Sequence, residues 1–161
     1  MPNYYSQHGE DFVLEKLAAN KNDGFFVEVG CIDGRRFSNT LLFEEKGWKG
    51  MCIEAHVDYI DMLRRNRKNS IVVHCAAGES DEDDVDFYAN ARGTLSSLSR
   101  SREEHFKTNY KDYFHGYDIH KVRKARLDTL FDSYGVKDID ILSIDIEGYE
   151  VEAMAGLDLN R

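Results

Sequence analysis

Proline is nearly missing, at one in 161 residues. With no proline-rich stretch to act as a stiff linker, the sequence predicts one domain over residues 1–161. Cysteine is scarce too. Cys31, Cys52 and Cys75 form no Cys-x-x-Cys pair and cannot all pair with one another. That pattern argues against a disulfide framework, predicts no metal site, and fits buried, unreactive thiols in a reducing compartment, here the cytoplasm. No run approaches the roughly 20 apolar residues of a membrane-spanning helix. The stretch from Met1 to Gln7 lacks the basic start and apolar core of a signal peptide. A protein that enters no membrane and follows no classical secretory route is therefore expected. Positive charge is also in deficit, with 21 Lys and Arg against 30 Asp and Glu, a formal charge of -9. This disfavours a general nucleic-acid binder and leaves room only for a local basic patch.

What is present is an ordinary globular composition, 42% hydrophobic and 32% charged. At this length a chain buries roughly 68–70% of its unfolded surface. Phe12, Val13 and Leu17 are spaced for a helix from about Gly9 to Asn20. Phe25 to Cys31 reads as a strand. Ser38-Asn39-Thr40 can cap a helix through Leu41, Leu42 and Phe43 that stops at Gly47. Lys49 to Glu54 is a second strand, Tyr59 to Arg67 a helix with a basic end, and Ser70 to Cys75 a third strand. Leu127 opens a helix ending at Gly135, Ile139 to Asp145 is a fourth strand, and Glu150 to Leu157 a last helix. Strands that are nearly continuous apolar runs, alternating with helices, predict an α/β fold with a parallel sheet covered on both faces. The alternation is interrupted by a variable insertion at about 79–126. It is acidic at first (Glu79, Asp81, Glu82, Asp83, Asp84, Asp86), with a short strand around Val85 to Ala89. Tyr110, Tyr113, Phe114 and Tyr117 then interleave with basic residues. The second part reads either as a solvated amphipathic helix with its aromatics as core or as a grip for an anionic or sugar-like ligand.

Three places carry chemistry. Gly30 and Gly34 flank the turn leaving the first strand, where α/β sheets admit ligands close to the backbone. Without a full Gly-x-Gly-x-x-Gly, a dinucleotide pyrophosphate is disfavoured. Glu54 ends the second strand about twenty residues on, where a carboxylate can accept both hydroxyls of a ribose. Asp145 and Glu147, followed by Gly148, leave the carboxyl end of the fourth strand. By chain order that strand lies beside the first, so both carboxylates are expected at the same crevice, as positioner, base or ion ligand. The bland alternative has Glu147 or Glu150 capping the following helix.

Ser6-Gln7-His8-Gly9-Glu10-Asp11, the run from Val27 to Gly34, Ser38-Asn39-Thr40, Ile53-Glu54-Ala55, Ala76-Ala77-Gly78, Ser96-Ser97-Leu98, Leu127-Asp128-Thr129-Leu130 and Asp145-Ile146-Glu147-Gly148-Tyr149-Glu150 occur in that order. Taken together they resemble the FkbM family of S-adenosylmethionine-dependent methyltransferases across nearly the whole chain. The resemblance implies a Rossmann-like class I methyltransferase fold and O-methylation of a hydroxyl on a sugar, glycan or small metabolite. It implies that Gly30, Asp33 and Gly34, with Glu28, Cys31, Ser38 and Asn39 around them, surround the methionine part of S-adenosyl-L-methionine. Glu54 and the adjoining Ala55 would meet the ribose, Ala76 and Ala77 the adenine, and Gln7 and Glu10 would close the site. Asp145 and Glu147 would stand at the catalytic crevice, Asp145 also near the cofactor, with His120 or His115 as alternative bases.

The family's sheet continues beyond the last helix legible here, so the expectation is a sheet without its last strands. The chain is then either a piece of a longer one or a minimal form that covers an exposed sheet edge as a homo-oligomer. Three function classes follow: an O-methyltransferase, a non-catalytic remnant that binds the cofactor or a metabolite, and a nucleotide-dependent oxidoreductase. The missing pyrophosphate fingerprint disfavours the third.

Overall fold

A computed structural model describes residues 3–18 and 21–160. In chain order the elements are α1 (Glu10–Leu17), β1 (Phe25–Val29), α2 (Leu41–Glu45), β2 (Lys49–Glu54), α3 (Val57–Asn66), β3 (Ser70–His74), β4 (Ala76–Ala77), β5 (Glu82–Ala89), α4 (Glu103–Asn109), β6 (Asp118–Ala125), α5 (Leu127–Tyr134), β7 (Ile141–Ile144) and α6 (Glu150–Ala155). They fall into two compact units. The first comprises Met1–Glu54, Asp58–Val73 and Asp138–Ile144; the second comprises Ala55–Val57, His74–Lys137 and Asp145–Arg161. Among the described residues no helix is long and apolar enough to cross a membrane.

The first unit is built on a four-stranded parallel sheet in the order β3-β2-β1-β7, the parallel sheet expected from the alternation of elements and consistent with the Rossmann-like fold that the resemblance implies. As chain order predicts, β7 pairs with β1. After its first residue, every position of β1 and of β2 is buried, as a sheet covered on both faces requires. Phe26, Leu42, Phe43, Trp48, Leu63 and Ile141 pack together with Cys31 and Cys52, each large side chain contributing about 1.5–3 kcal/mol. Gly50 is obligatory there, because a Cβ would lie 2.0 Å from the Phe26 ring. All three thiols are buried, as their apolar surroundings in sequence suggest. In register, Val29 stands opposite Ile53 on one side and Ile144 on the other. The carboxyl ends of β1, β2 and β7 therefore meet at one edge. The predicted end of α1 at Asn20 lies outside the described residues; the helix is assigned to Leu17.

The second unit holds a three-stranded sheet in the order β4-β6-β5, with β4 parallel and β5 antiparallel to β6. Here the structure corrects the sequence reading. Where a solvated amphipathic helix was one expectation, residues 118–125 form a central strand, and only Glu103–Asn109 is helical. Charge had masked the alternation: Val122 and Lys124 point inward while Ile119, Lys121 and Arg123 are exposed. Lys124 takes an inward position by laying its stem against Gly78 and pairing its ammonium with Glu79 and Glu82 at 2.8 and 2.9 Å. Of the aromatics expected as core, Phe114 is buried with Leu95 and Phe106, and Tyr117 packs partly buried against them, whereas Tyr110 and Tyr113 are exposed. The short strand expected from Val85 begins earlier, at Glu82, across an irregularity in which Asp84 has φ 58°.

Candidate functional site

Glu28 is a carboxylate in the middle of an apolar strand, and burying it demands partners. It is 3% exposed. One oxygen accepts from Ser38 Oγ (2.9 Å), Thr40 Oγ1 (2.7 Å) and Arg67 NH1 (2.9 Å), and the other from the Asn39 N–H (2.7 Å). Glu28 thereby fastens the turn after β1 to the start of α2. Arg67 follows α3 and is fully buried; its Nε reaches Glu44 at 2.7 Å and its NH2 reaches Thr40 Oγ1 at 2.7 Å. Burial opposes its charge, yet Cys52, Glu28 and Glu44 around it hold the guanidinium above its ordinary pKa. Glu44 is satisfied in turn by the Asn69 N–H and the Ser70 hydroxyl.

The turn between β1 and α2 is unusual in its backbone. Gly30, Ile32 and Gly34 all have positive φ (88°, 49° and 77°), a costly choice for a β-branched isoleucine. The Glu54 carboxylate, at the end of β2, receives the Ile32 N–H at 2.7 Å and holds that conformation. Asp33 caps the next bend by accepting from the N–H groups of Arg35 (2.9 Å) and Arg36 (2.8 Å). Gly34 donates to the Cys31 carbonyl at 2.8 Å. The Cys31 thiol is turned into the core against the Glu28 carbonyl (3.0 Å), where burial, reinforced by Cys52, pushes its pKa well up. Only the backbone of Cys31 faces the turn. Asn39 reaches across to Ser143 of β7 at 2.9 Å. Gly30, Asp33, Gly34, Ser38, Asn39 and Glu54 are thus brought together in one unit around one glycine-bearing turn.

The amino-terminal segment joins them through a bridge between Ser6 and Phe37. Its organiser is Asp11, fully buried, which accepts from the N–H groups of Tyr5 and Ser6 and from the Ser6 hydroxyl. Gln7 and Glu10 stand exposed on that segment, and Glu10 accepts from the His8 N–H at 2.8 Å. Glu28, Cys31 and Cys52 bring three ligand atoms within 4.8 Å of one another. That set does not suit a cation, because four donors already occupy the carboxylate and one of them is the Arg67 guanidinium.

The remaining predicted residues belong to the second unit. Ala76 and Ala77 are buried in β4 against β6. The Ala55 carbonyl lies 3.1 Å from His74 Nε2. Asp145 is exposed, one residue beyond β7 in the chain. Glu147 sits at φ 58°, accepts from the Leu95 N–H at 3.4 Å and faces Arg102 at 3.6 Å. Its pKa is raised, first by burial and then by the negative charge of Asp145. Glu150, the first residue of α6, ties down the loop before the helix by accepting from the N–H groups of Ile146 and Gly148, both at 3.1 Å, while the N-cap position, Tyr149, makes no side-chain cap bond. His120 stands on β6 with its ring 5.6 Å from that of His56, whereas His115 is exposed.

Sequence reading missed Arg67 and Glu44. The signal was there for Arg67: Ile60, Leu63 and Arg67 share the i, i+3, i+7 stripe that buries α3, so the arginine lies on the core face and not at a solvated basic end. A glutamate inside β1 was the complementary sign.

No curated protein and no solved structure matches the chain. The profile of the methyltransferase FkbM domain matches residues 19–161, which include both units' sheets and the turn after β1. The chain belongs to the FkbM methyltransferase family.

Proposed function

We propose that this methyltransferase uses S-adenosylmethionine and methylates a hydroxyl oxygen on a sugar, glycan or small metabolite. The observation that carries the reading is the pairing of a left-handed, glycine-bearing turn after β1 with a carboxylate at the end of β2. The residues fit such a donor. The turn offers close backbone approach for the amino-acid portion, and Glu54 is the acceptor that a ribose diol needs. Gly30, Asp33, Gly34, Ser38 and Asn39 would hold the one part and Glu54 the other. When bound, the donor supplies an electrophilic methyl group on a sulfonium.

A neutral alcohol is a poor nucleophile, and a base that takes its proton contributes roughly 10²–10⁴-fold. We assign that role to Glu147, with Asp145 as its positioner. A carboxylate whose pKa burial has raised is a stronger base than an exposed one. The test is transfer of labelled methyl to a panel of hydroxylated sugars and metabolites. Glu147→Gln should lose turnover by about 10²-fold or more while still binding donor. Unchanged turnover overturns the assignment, and donor binding with no transfer by the native chain favours the non-catalytic remnant.

A further inference from the structure

We propose that Arg67 is a positioning residue for the methyl donor, holding the stretch 34–40 in its binding conformation without touching the ligand. The inference rests on the reading of that turn as the donor site. Within this short stretch Arg67 meets three acceptors: the Gly34 carbonyl (3.3 Å), Ser38 Oγ (3.1 Å) and Thr40 Oγ1 (2.7 Å). It also binds Glu28, which itself grips Ser38, Asn39 and Thr40. An ion pair serving only to join α3 to the core would need one carboxylate. This guanidinium instead directs NH2 to the turn, shares NH1 between the turn and Glu28, and leaves Nε for Glu44.

The stretch requires such support. Gly34 and Phe37 both have positive φ, 77° and 63°, conformations that persist where surrounding contacts over-determine them. Glu44 is fixed by Asn69 and Ser70 and balances the arginine's charge, so the fork is aimed before any ligand arrives. The Arg67 stem passes over Gly34, where a Cβ would lie 2.6 Å from its Cγ. The fork cannot be replaced by an ammonium, whose three donors radiate from a single nitrogen. If the competent conformation of the turn falls to about a tenth of the population, apparent donor affinity weakens about tenfold.

The experiment is calorimetric titration of the full chain with S-adenosylmethionine, paired with amide hydrogen exchange of residues 34–40 in the ligand-free protein. Arg67→Lys should unfold cooperatively, exchange faster across 34–40 than the native chain, and bind the donor about tenfold more weakly. Leu130→Ala, a core truncation in α5, controls for lost stability and should leave donor affinity unchanged. If Arg67→Lys does not fold, the paired variant Arg67→Leu with Glu44→Leu removes both charges. It leaves Glu28 its Ser38, Asn39 and Thr40 donors and should show the same weakening. Native-like affinity and exchange in whichever variant folds would overturn the proposal, as would an equal loss of affinity in Leu130→Ala. A native chain that binds no donor overturns the donor reading and this proposal with it. Native binding with an unaffected variant overturns this proposal alone.

Discussion

Gly34→Ala isolates the geometry of the turn in a single methyl group. At φ 77° a non-glycine residue costs about 1–2 kcal/mol. The added Cβ would also lie 2.5 Å from Leu63 Cδ1 and 2.6 Å from Arg67 Cγ, both inside the core. Overpacking of that kind typically costs about 1–3 kcal/mol. Together the two effects predict about 2–5 kcal/mol, or roughly 4–20 °C in Tm for a domain of this size. Gly135, the C-cap of α5, has φ 69° and open space around its Cα, so Gly135→Ala should show only the conformational part, about 1–2 kcal/mol. Urea denaturation of both variants separates the contributions. In a Leu63→Ala background the penalty at position 34 should shrink, because one of the two clashing groups has gone. The reasoning fails if Gly34→Ala costs no more than Gly135→Ala, or if the Leu63 background leaves the penalty unchanged.

Three further outcomes follow from the charges and thiols. Glu79 is held down to about 2, chiefly by the hydrogen bond from Lys124, so the stability it contributes is present above 4.5 and lost as pH falls toward 2. In Lys124→Met the acid limb of stability between those values should flatten, and an unaltered limb would contradict the pairing. Glu147 has the opposite sign. Its raised pKa means that stability is full below 4.5 and falls as pH rises through the folded-state value, so Glu147→Gln should remove that fall; a steeper one would refute its burial. Burial lifts the Cys75 thiol to about 11 and Cys31 well above its ordinary value, so native protein at pH 8 should resist thiol labelling until denatured. Rapid labelling of either would show the core to be more open than described.

The first unit was largely legible because its strands are continuous apolar runs and its breaks carry Gly24, Gly34 and Gly47. Pattern and burial there say the same thing. The turn after β1 and the carboxylate of Glu54 were legible as well, since their order in the chain follows from the sheet. The direct bond from the Ile32 N–H to Glu54 was not, because it depends on a positive φ at a residue type that seldom adopts one. The part of β6 around Lys124 was hidden for a different reason. Inward and outward positions alternate there, but an inward lysine paired with two glutamates imitates a solvated surface when only residue types are read. Arg67 was masked by its neighbours Arg64 and Arg65, which are exposed, although the apolar stripe of α3 runs through it.

The most direct test of the central claim is titration calorimetry of the chain with S-adenosylmethionine, with NAD as the control ligand. The account predicts saturable binding of the methyl donor alone, lost in Glu54→Ala, because that change removes the carboxylate that is proposed to meet the ribose and that also holds Ile32 in place. A folded chain that leaves the methyl donor unbound, or that binds NAD tightly, would contradict it.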